Sequence, residues 1–373
     1  MNGQWLGTYS GTNSGLCVLD IDNMGEYYQG YAYVIDDGNA RPMPSTFAPI
    51  KTPDKGNTFQ LSLEVYPIHP QTGDPTTWAQ IENIYPEVIF PTQANVNWSW
   101  DGLHITINWL TNIGTHGSAN LDKSRADEPS EYSPLPTVSN WQQFKAFVNS
   151  LEPRRFIFRG QKERRRLRTY FHRTGRADLI RFLGQDRQTL VKHLSARTQH
   201  IFNLENPDEN GAFLNLVQHH GYPTPLLDWT YSPYVGAYFA YYRIKNSESE
   251  NASADHKVRI FIFDQQQWHI DFPPIPKLSN PKRHFSIMEF MAINNERMIP
   301  QQAVSSVTNI DDIETFIRSR EISEKQYLRV IDLPVRERRL VMQELSTMGI
   351  TAGSLFPGLD GACEELRERF FTL

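Results

Sequence analysis

Arg159 and Gly160 close the apolar run "FIFRGQ". A guanidinium at a strand end is a fork that grips phosphate through parallel hydrogen bonds, or else it pairs with a buried carboxylate. Gly160 beside it lets a ligand approach the backbone. Further along, "HHGYPTPLLDWTYSPYVGAYFA" (His219–Ala240) sets Asp228, Trp229, Thr230, Tyr231 and Ser232 just ahead of a helix with Pro233 in its first turn. Thr230 and Ser232 lie two apart on an extended segment, so their hydroxyls share a side. They precede a helix N-terminus, where free N–H groups favour anions. Asp228 adds a carboxylate, and Trp229 either meets a ligand or plugs the core. Of His219 and His220, one is expected to pack at the helix end and the other to serve a phosphate or act as a general base. A fourth stretch, "NNERMIPQQAVSSV" (Asn294–Val307), offers Gln302 as an amide for a sugar or base edge.

A basic run, "KERRRLRTYFHRTGR" (Lys162–Arg176), follows Arg159 directly. It reads either as a solvated charged face or as a positive wall for a pyrophosphate or nucleic acid. The net charge of −5 argues against a general nucleic-acid binder. No phosphate-cradling GxxxxGK[ST], no GxGxxG, no HExxH and no GxSxG occurs. Cys17 and Cys363 are the two cysteines, too few for a disulfide framework, and no cluster has metal-ligand spacing. We therefore expect no metal. The start lacks a signal-peptide pattern and no apolar run reaches the roughly 18–20 residues of a membrane span, so a cytoplasmic protein is expected.

The elements that must carry these residues fall into two groups. Residues 1–116 read as β-structure: "GQWLGTYSG", "LCVLDI", Tyr27–Ile35, Phe59–Ile68 and Leu103–Leu110 are β-branched and aromatic runs between turn residues. They predict an all-β barrel or sandwich without an amphipathic helix. Residues 117–136 have a linker's polar, proline-bearing composition. From 137 the period turns helical, with Trp141, Phe144, Val148 and Leu151 on one face. Helices over Gln188–Phe202, Gly211–Gly221, Pro233–Ile244 and Val335–Gly349 interleave with strands Arg154–Gly160, Val258–Asp264 and Tyr327–Leu333. Lys245–Lys257 reads as a disordered loop. Without regular βαβ alternation the class is α+β.

The collinear set "FRGQ" (158–161), "FHRTGR" (171–176), "QHHGYPTPLLDWTYSP" (218–233), "NNER…PQQAVSS" and "LFPGLDG" (355–361) resembles the FRG domain family over about residues 140–373. The order of an arginine on a strand, Thr/Ser-x-Ser before an Ala/Phe-rich helix and a late polar motif is similar to arginine–serine–glutamate ADP-ribosyltransferases. That resemblance implies NAD as substrate, Arg159 on its pyrophosphate or ribose, Thr230 and Ser232 at the nicotinamide ribose, and Tyr234 or Tyr238 stacking nicotinamide. It also implies a catalytic glutamate, and here the matching position is Gln302. An amide binds a hydroxyl but cannot offset a developing cation, unless Asp228 or Glu296 reaches the same point. The readings that follow are an ADP-ribosyltransferase-like or NAD-consuming enzyme, a nucleotide-binding sensor without turnover, and a nucleic-acid-associated module. The family resemblance suggests a toxin or phage-defence effector, with the N-terminal domain meeting a macromolecular target or partner protein.

Overall fold

The computed structural model describes residues 1–37 and 45–371 of the chain. Nine antiparallel strands form the first unit: β1 Gly3–Gly11, β2 Ser14–Asn23, β3 Tyr28–Asp36, β4 Thr46–Thr52, β5 Thr58–Glu64, β6 Tyr66–Pro67, β7 Gln93–Trp100, β8 His104–Thr111 and β9 His116–Lys123. Their order is β5-β7-β8-β9-β1-β2-β3-β4-β6, and the sheet curls until β4 lies beside β5, giving a nearly closed barrel. Alternation explains the curl: Ala94, Val96 and Trp98 of β7 turn inward while the polar residues between them face water. A short helix, Trp78–Ile84, lies between β6 and β7, started by a Thr77/Gln80 capping box. Of the expected barrel or sandwich the structure shows the barrel, and the helix between β6 and β7 is one that the sequence pattern did not reveal. The helix is short, and only Ile81 of it is buried. β9 takes up residues 116–123, so the chain leaves the barrel at Ser124 rather than at 117.

The segment after β9 is strapped down. Arg125, Asp127, Ser130, Glu131 and Tyr132 make hydrogen bonds or ion pairs, most of them to the second unit, and the backbone of Pro134 bridges Val330. Beyond it lies a six-stranded antiparallel sheet of β10 Phe156–Gln161, β11 Leu226–Thr230, β12 Lys257–Asp264, β13 Phe285–Met288, β14 Ala303–Thr308 and β15 Leu328–Pro334, ordered β13-β14-β11-β10-β12-β15. One face carries the helices Trp141–Asn149, Pro233–Tyr241 and Arg338–Thr347 over a core that includes Phe158, Ile260 and Ile331. The other face buries Ile157, Trp229, Phe261 and Phe263 against Trp268 and Phe316. Helix Pro207–His219 begins at the Asn206 cap and ends at Gly221, whose φ of +87° is the left-handed turn the sequence predicts. The stretch read as disordered contains the short helix Asn246–Glu250. No helix among the described residues is long and apolar enough to cross a membrane.

The two units meet through buried polar groups. Gln4 donates to Asp20 Oδ1 at 2.9 Å and to the Asn309 carbonyl at 2.8 Å, and its own carbonyl accepts from Asp311 N–H at 3.0 Å. Asp22 accepts from the N–H groups of Ala177 and Asp178 and from Arg176 Nε at 2.7, 3.1 and 2.7 Å. Burial pushes the Asp20 carboxyl up to about 8; Gln4 opposes this and Asp178, Asp22 and Asp311 add to it. Its folded pKa therefore lies above the unfolded value of about 4. The proton it keeps stabilises the native state fully below about pH 4, and that contribution is lost as pH rises to about 8. Thermal unfolding across this window should fall more steeply with pH in the wild type than in Asp20→Asn; parallel curves would contradict the assignment.

Candidate functional site

β10 meets β12 over six residue pairs but meets β11 at one, Phe158 with Thr230. Past that pair the strands part, and the gap opens into a pocket of about 650 Å³, within the size range of small-molecule sites. Arg159 bridges the gap: its Nη1 donates to the Asp228 carbonyl at 2.5 Å, so a side chain takes the place of the missing ladder bond. Its Nε has no hydrogen-bond partner among the described residues. Burial first, then the neighbouring Arg173 charge, holds the guanidinium down to about 10, and Asp228 opposes them.

Asp228 forms the pocket floor. On β11 it shares a face with Thr230, while Leu227 and Trp229 turn into the opposite core. Gln218 Nε2 donates to Asp228 Oδ1 at 2.6 Å, and the Gln218 carbonyl accepts from the Thr224 hydroxyl, which fixes the amide's orientation. The carboxylate is open to the pocket but enclosed by protein around it. That enclosure raises its pKa, against the pull of Arg159 and the Gln218 bond. Ser305 faces Asp228 across the β11–β14 ladder and donates to Asn215 at 2.9 Å.

Cations surround this floor. Arg159, Lys162, Arg165, Arg173, Arg243 and Arg297 line the pocket, against the carboxylates of Glu163 and Asp228. Lys162 pairs with Glu248 and Arg165 with Glu163 at 2.9 and 2.6 Å. Arg173 and Arg243 have no side-chain partner among the described residues, and Arg297 lies over the Phe356 ring at 5.0 Å with its Nε unpaired. Burial lowers the pKa of both Arg173 and Arg297; for Arg173 the charges of Arg165 and Arg168 add to it. Gln161 Nε2 is buried at the pocket wall without a partner. Phe239, Tyr242, Met298 and Phe356 give the apolar side. Cations thus outnumber carboxylates in the pocket lining.

His219 also lines the pocket. Its Nδ1 lies 2.9 Å from Asn295 Oδ1; with that oxygen accepting, Nδ1 carries the proton and Nε2 is the free acceptor. Burial, with Arg297 next, pushes its pKa down to about 4, so the ring is neutral near pH 7.

The structure brings Arg159, Gly160, His219, Asp228, Trp229 and Thr230 to this pocket and takes six other expected residues elsewhere. Ser232 is the N-cap of helix Pro233–Tyr241, accepting from Val235 N–H at 3.2 Å. Thr230 Oγ1 is held by the Gln301 carbonyl at 2.7 Å and accepts from Ser232 N–H. Tyr234 bonds Asn149 on the helix's other side, and Tyr238 is fully buried in the core. His220 is exposed at the helix end. Gln302 sits at a turn with φ of +46°, its carbonyl accepting from Tyr231 N–H; the neighbouring Gln301 lines the pocket, with its amide on the Leu355 carbonyl. Glu296 is exposed and away from the pocket lining. Trp229 borders the pocket, but its Nε1 donates to Ser306 within the core. Gly160 has a packing reason: a Cβ there would meet the Gly236 carbonyl at 1.9 Å and the Ala240 nitrogen at 2.5 Å. Arg173, Arg243, Arg297 and Gln218 went unassigned, since no spacing distinguishes them from surface polar residues. Among the described residues no group of three His, Cys, Asp or Glu is placed to hold a metal ion.

The FRG domain model matches residues 154–249. The chain carries an FRG domain. The matched FRG span holds Arg159, Arg173, Gln218, Asp228 and the Pro233–Tyr241 helix, while Arg297 and Phe356 complete the pocket from beyond it. No curated protein matches the chain. Two solved structures are similar at 15% identity: a redesigned beta barrel, and a second redesigned beta barrel bound to DFHBI. They cover 33% of this chain and 91% and 94% of their own, with TM-scores of 0.21 and 0.20.

Ser232→Ala should lose about 1 kcal/mol of stability, the usual worth of a helix cap, and leave ligand affinity unchanged. Gly160→Ala should lose about 1–3 kcal/mol by forcing β10 from its helix. Denaturant titration of both variants checks these values; a Ser232 variant of wild-type stability but impaired binding would contradict the capping role.

Proposed function

We propose that the FRG-domain pocket binds a nucleotide of the NAD class and that Asp228 acts on its glycosidic bond. One observation carries the reading: the Asp228 carboxylate, oriented by Gln218, lies open among cations of which Arg173 and Arg243 have no side-chain partner among the described residues. Phosphate oxygens satisfy such forks in pairs, and Phe239, Tyr242 and Phe356 offer faces to a base. With the diphosphate held by Arg159, Arg173 and Arg297, the sugar is brought towards Asp228. As the bond to nicotinamide breaks, its electron pair leaves with the ring nitrogen and the ribose gains oxocarbenium character. The ionised Asp228 offsets that charge, the part that Gln302 cannot play. His219 Nε2 is placed to take a proton from the water or acceptor hydroxyl that attacks. Hydrolysis or transfer of this kind would suit a toxin or defence effector.

The non-catalytic alternative has its own observation. Gln302, the position matched to the transferase glutamate, is absent from the pocket lining, and its neighbour Gln301, which does line it, has its amide on the Leu355 carbonyl. A nucleotide sensor needs only the cations and rings.

Nicotinamide release and calorimetric binding of ADP-ribose separate these readings. Asp228→Asn should keep ADP-ribose binding and lower release about 100- to 1000-fold. Arg173→Ala should weaken binding about tenfold or more, as for a lost charge-assisted hydrogen bond. Because burial raises the Asp228 pKa, release should be lost as pH falls through a value above the ordinary carboxylate range. Binding without release at any pH would favour the sensor; no binding of NAD or ADP-ribose would overturn both.

A further inference from the structure

Helix Leu359–Phe371 packs the opposite way round from an ordinary surface helix. Usually the apolar stripe faces the core and the charged side faces water. Here Gly361, Glu364, Glu365 and Glu368, at i, i+3, i+4 and i+7, form the face turned to the molecule. Gly361 sits so close to the preceding turn that a Cβ would meet the Phe356 carbonyl at 1.9 Å. Glu365 accepts from the Thr351 hydroxyl at 2.6 Å and from Gly353 N–H at 3.0 Å. Burial raises the Glu368 pKa, against the pull of Arg338. Leu359, Cys363, Leu366 and Phe370 stand on the other side, at i, i+4, i+7 and i+11, within about 60° of arc. All four are exposed, Leu359 to 84%, Leu366 to 47% and Phe370 to 66%. Single exposed apolar residues are ordinary, but four in register on one helix form a patch.

The spacing indicates what fits there. Intervals of four, three and four are the d-a-d-a seam by which one helix packs on another. We propose that this helix is a self-association surface, pairing antiparallel with the same helix of a second copy about a two-fold axis. Such an axis puts Leu359 opposite Phe370 and Cys363 opposite Leu366 of the second copy, each contact occurring twice. The flank selects the direction. Asp360 and Arg367 border the stripe on the same side, and antiparallel pairing sets each against the other across the seam. A parallel pair would set Arg367 against Ala362 instead. Arg367 reaches Glu364 of its own helix through Nη2, and that pair does not use its Nε and Nη1. Asp360 is exposed, and its charge also acts on Arg297 at the pocket. Four side chains per copy are a small seam beside the roughly 800 Å² per partner of a standard interface, so dissociation should fall in the micromolar range. This inference does not depend on the reading of the FRG pocket.

Sedimentation equilibrium of the full chain across the micromolar range should show a reversible monomer–dimer equilibrium. Leu366→Glu and Phe370→Glu should each weaken it about tenfold or more, since each places an uncompensated charge in the seam twice. Both side chains are exposed in the single chain, so dilute samples of these variants should unfold at the wild-type temperature. Asp360→Arg should weaken the dimer about tenfold by setting like charges together, and adding Arg367→Asp should restore it. A chain that is monomeric throughout this range would overturn the proposal. So would undiminished dimerisation in a folded Leu366→Glu or Phe370→Glu protein. A dimer equally strong in wild type and Asp360→Arg would overturn the antiparallel pairing. A monomer that sediments with anionic lipid vesicles would assign the stripe to a membrane surface and overturn the proposal as well.

Discussion

One side chain holds the FRG pocket open. Where β10 and β11 separate after a single pair, the Asp228 carbonyl would face an empty gap, and the Arg159 guanidinium spans it. Antiparallel strands otherwise close on each other through their own ladder. The same substitution buries a charge that no carboxylate neutralises directly, which is costly unless an anion joins it. Arg159 is thus a strut between the two strands. The floor, the walls and the electrostatics all follow from that gap.

The basic run after Arg159 shows how the chain sorts its charges. Arg166 and Arg168 are buried against Asp312, Glu131, Asp311 and Asp127; Arg164 reaches Asp332; Arg176 ties Asp22 of the barrel to Asp186. These arginines fasten the strap and the barrel to the FRG unit. Arg166 and Arg168 are buried by these pairs, while Arg164 stays about half exposed. Of the run's cations, Lys162, Arg165 and Arg173 line the pocket, and of these Arg173 has no side-chain partner among the described residues. A net charge of −5 thus coexists with a cationic cavity.

Much of this was readable from residue order. The strand at "FIFRGQ", the turn at Gly221, and the convergence of Arg159, Asp228 and Thr230 follow from local pattern, since each sits where a strand or helix ends. β4, with Pro49 in its middle, and β7, with asparagines between its apolar positions, hid from the same reading. The short β13 and β14 were equally silent. Ser232 and Gln302 looked like ligand groups because hydroxyls and amides serve backbone and substrate equally well. The choice between those uses depends on which N–H or carbonyl the fold leaves unpaired, and this is a tertiary fact. The same holds for Arg297 and Phe356, which reach the pocket from distant segments.

The proposed occupant of the gap between β10 and β11 is a nucleotide, with phosphates on the arginines and sugar at Asp228. A crystal structure of the full chain soaked with ADP-ribose tests it most directly. The account predicts the diphosphate beside Arg159 and Arg173 and a ribose within hydrogen-bond reach of Asp228. An empty pocket at saturating ligand, or ADP-ribose bound with its phosphates away from these arginines, would contradict it.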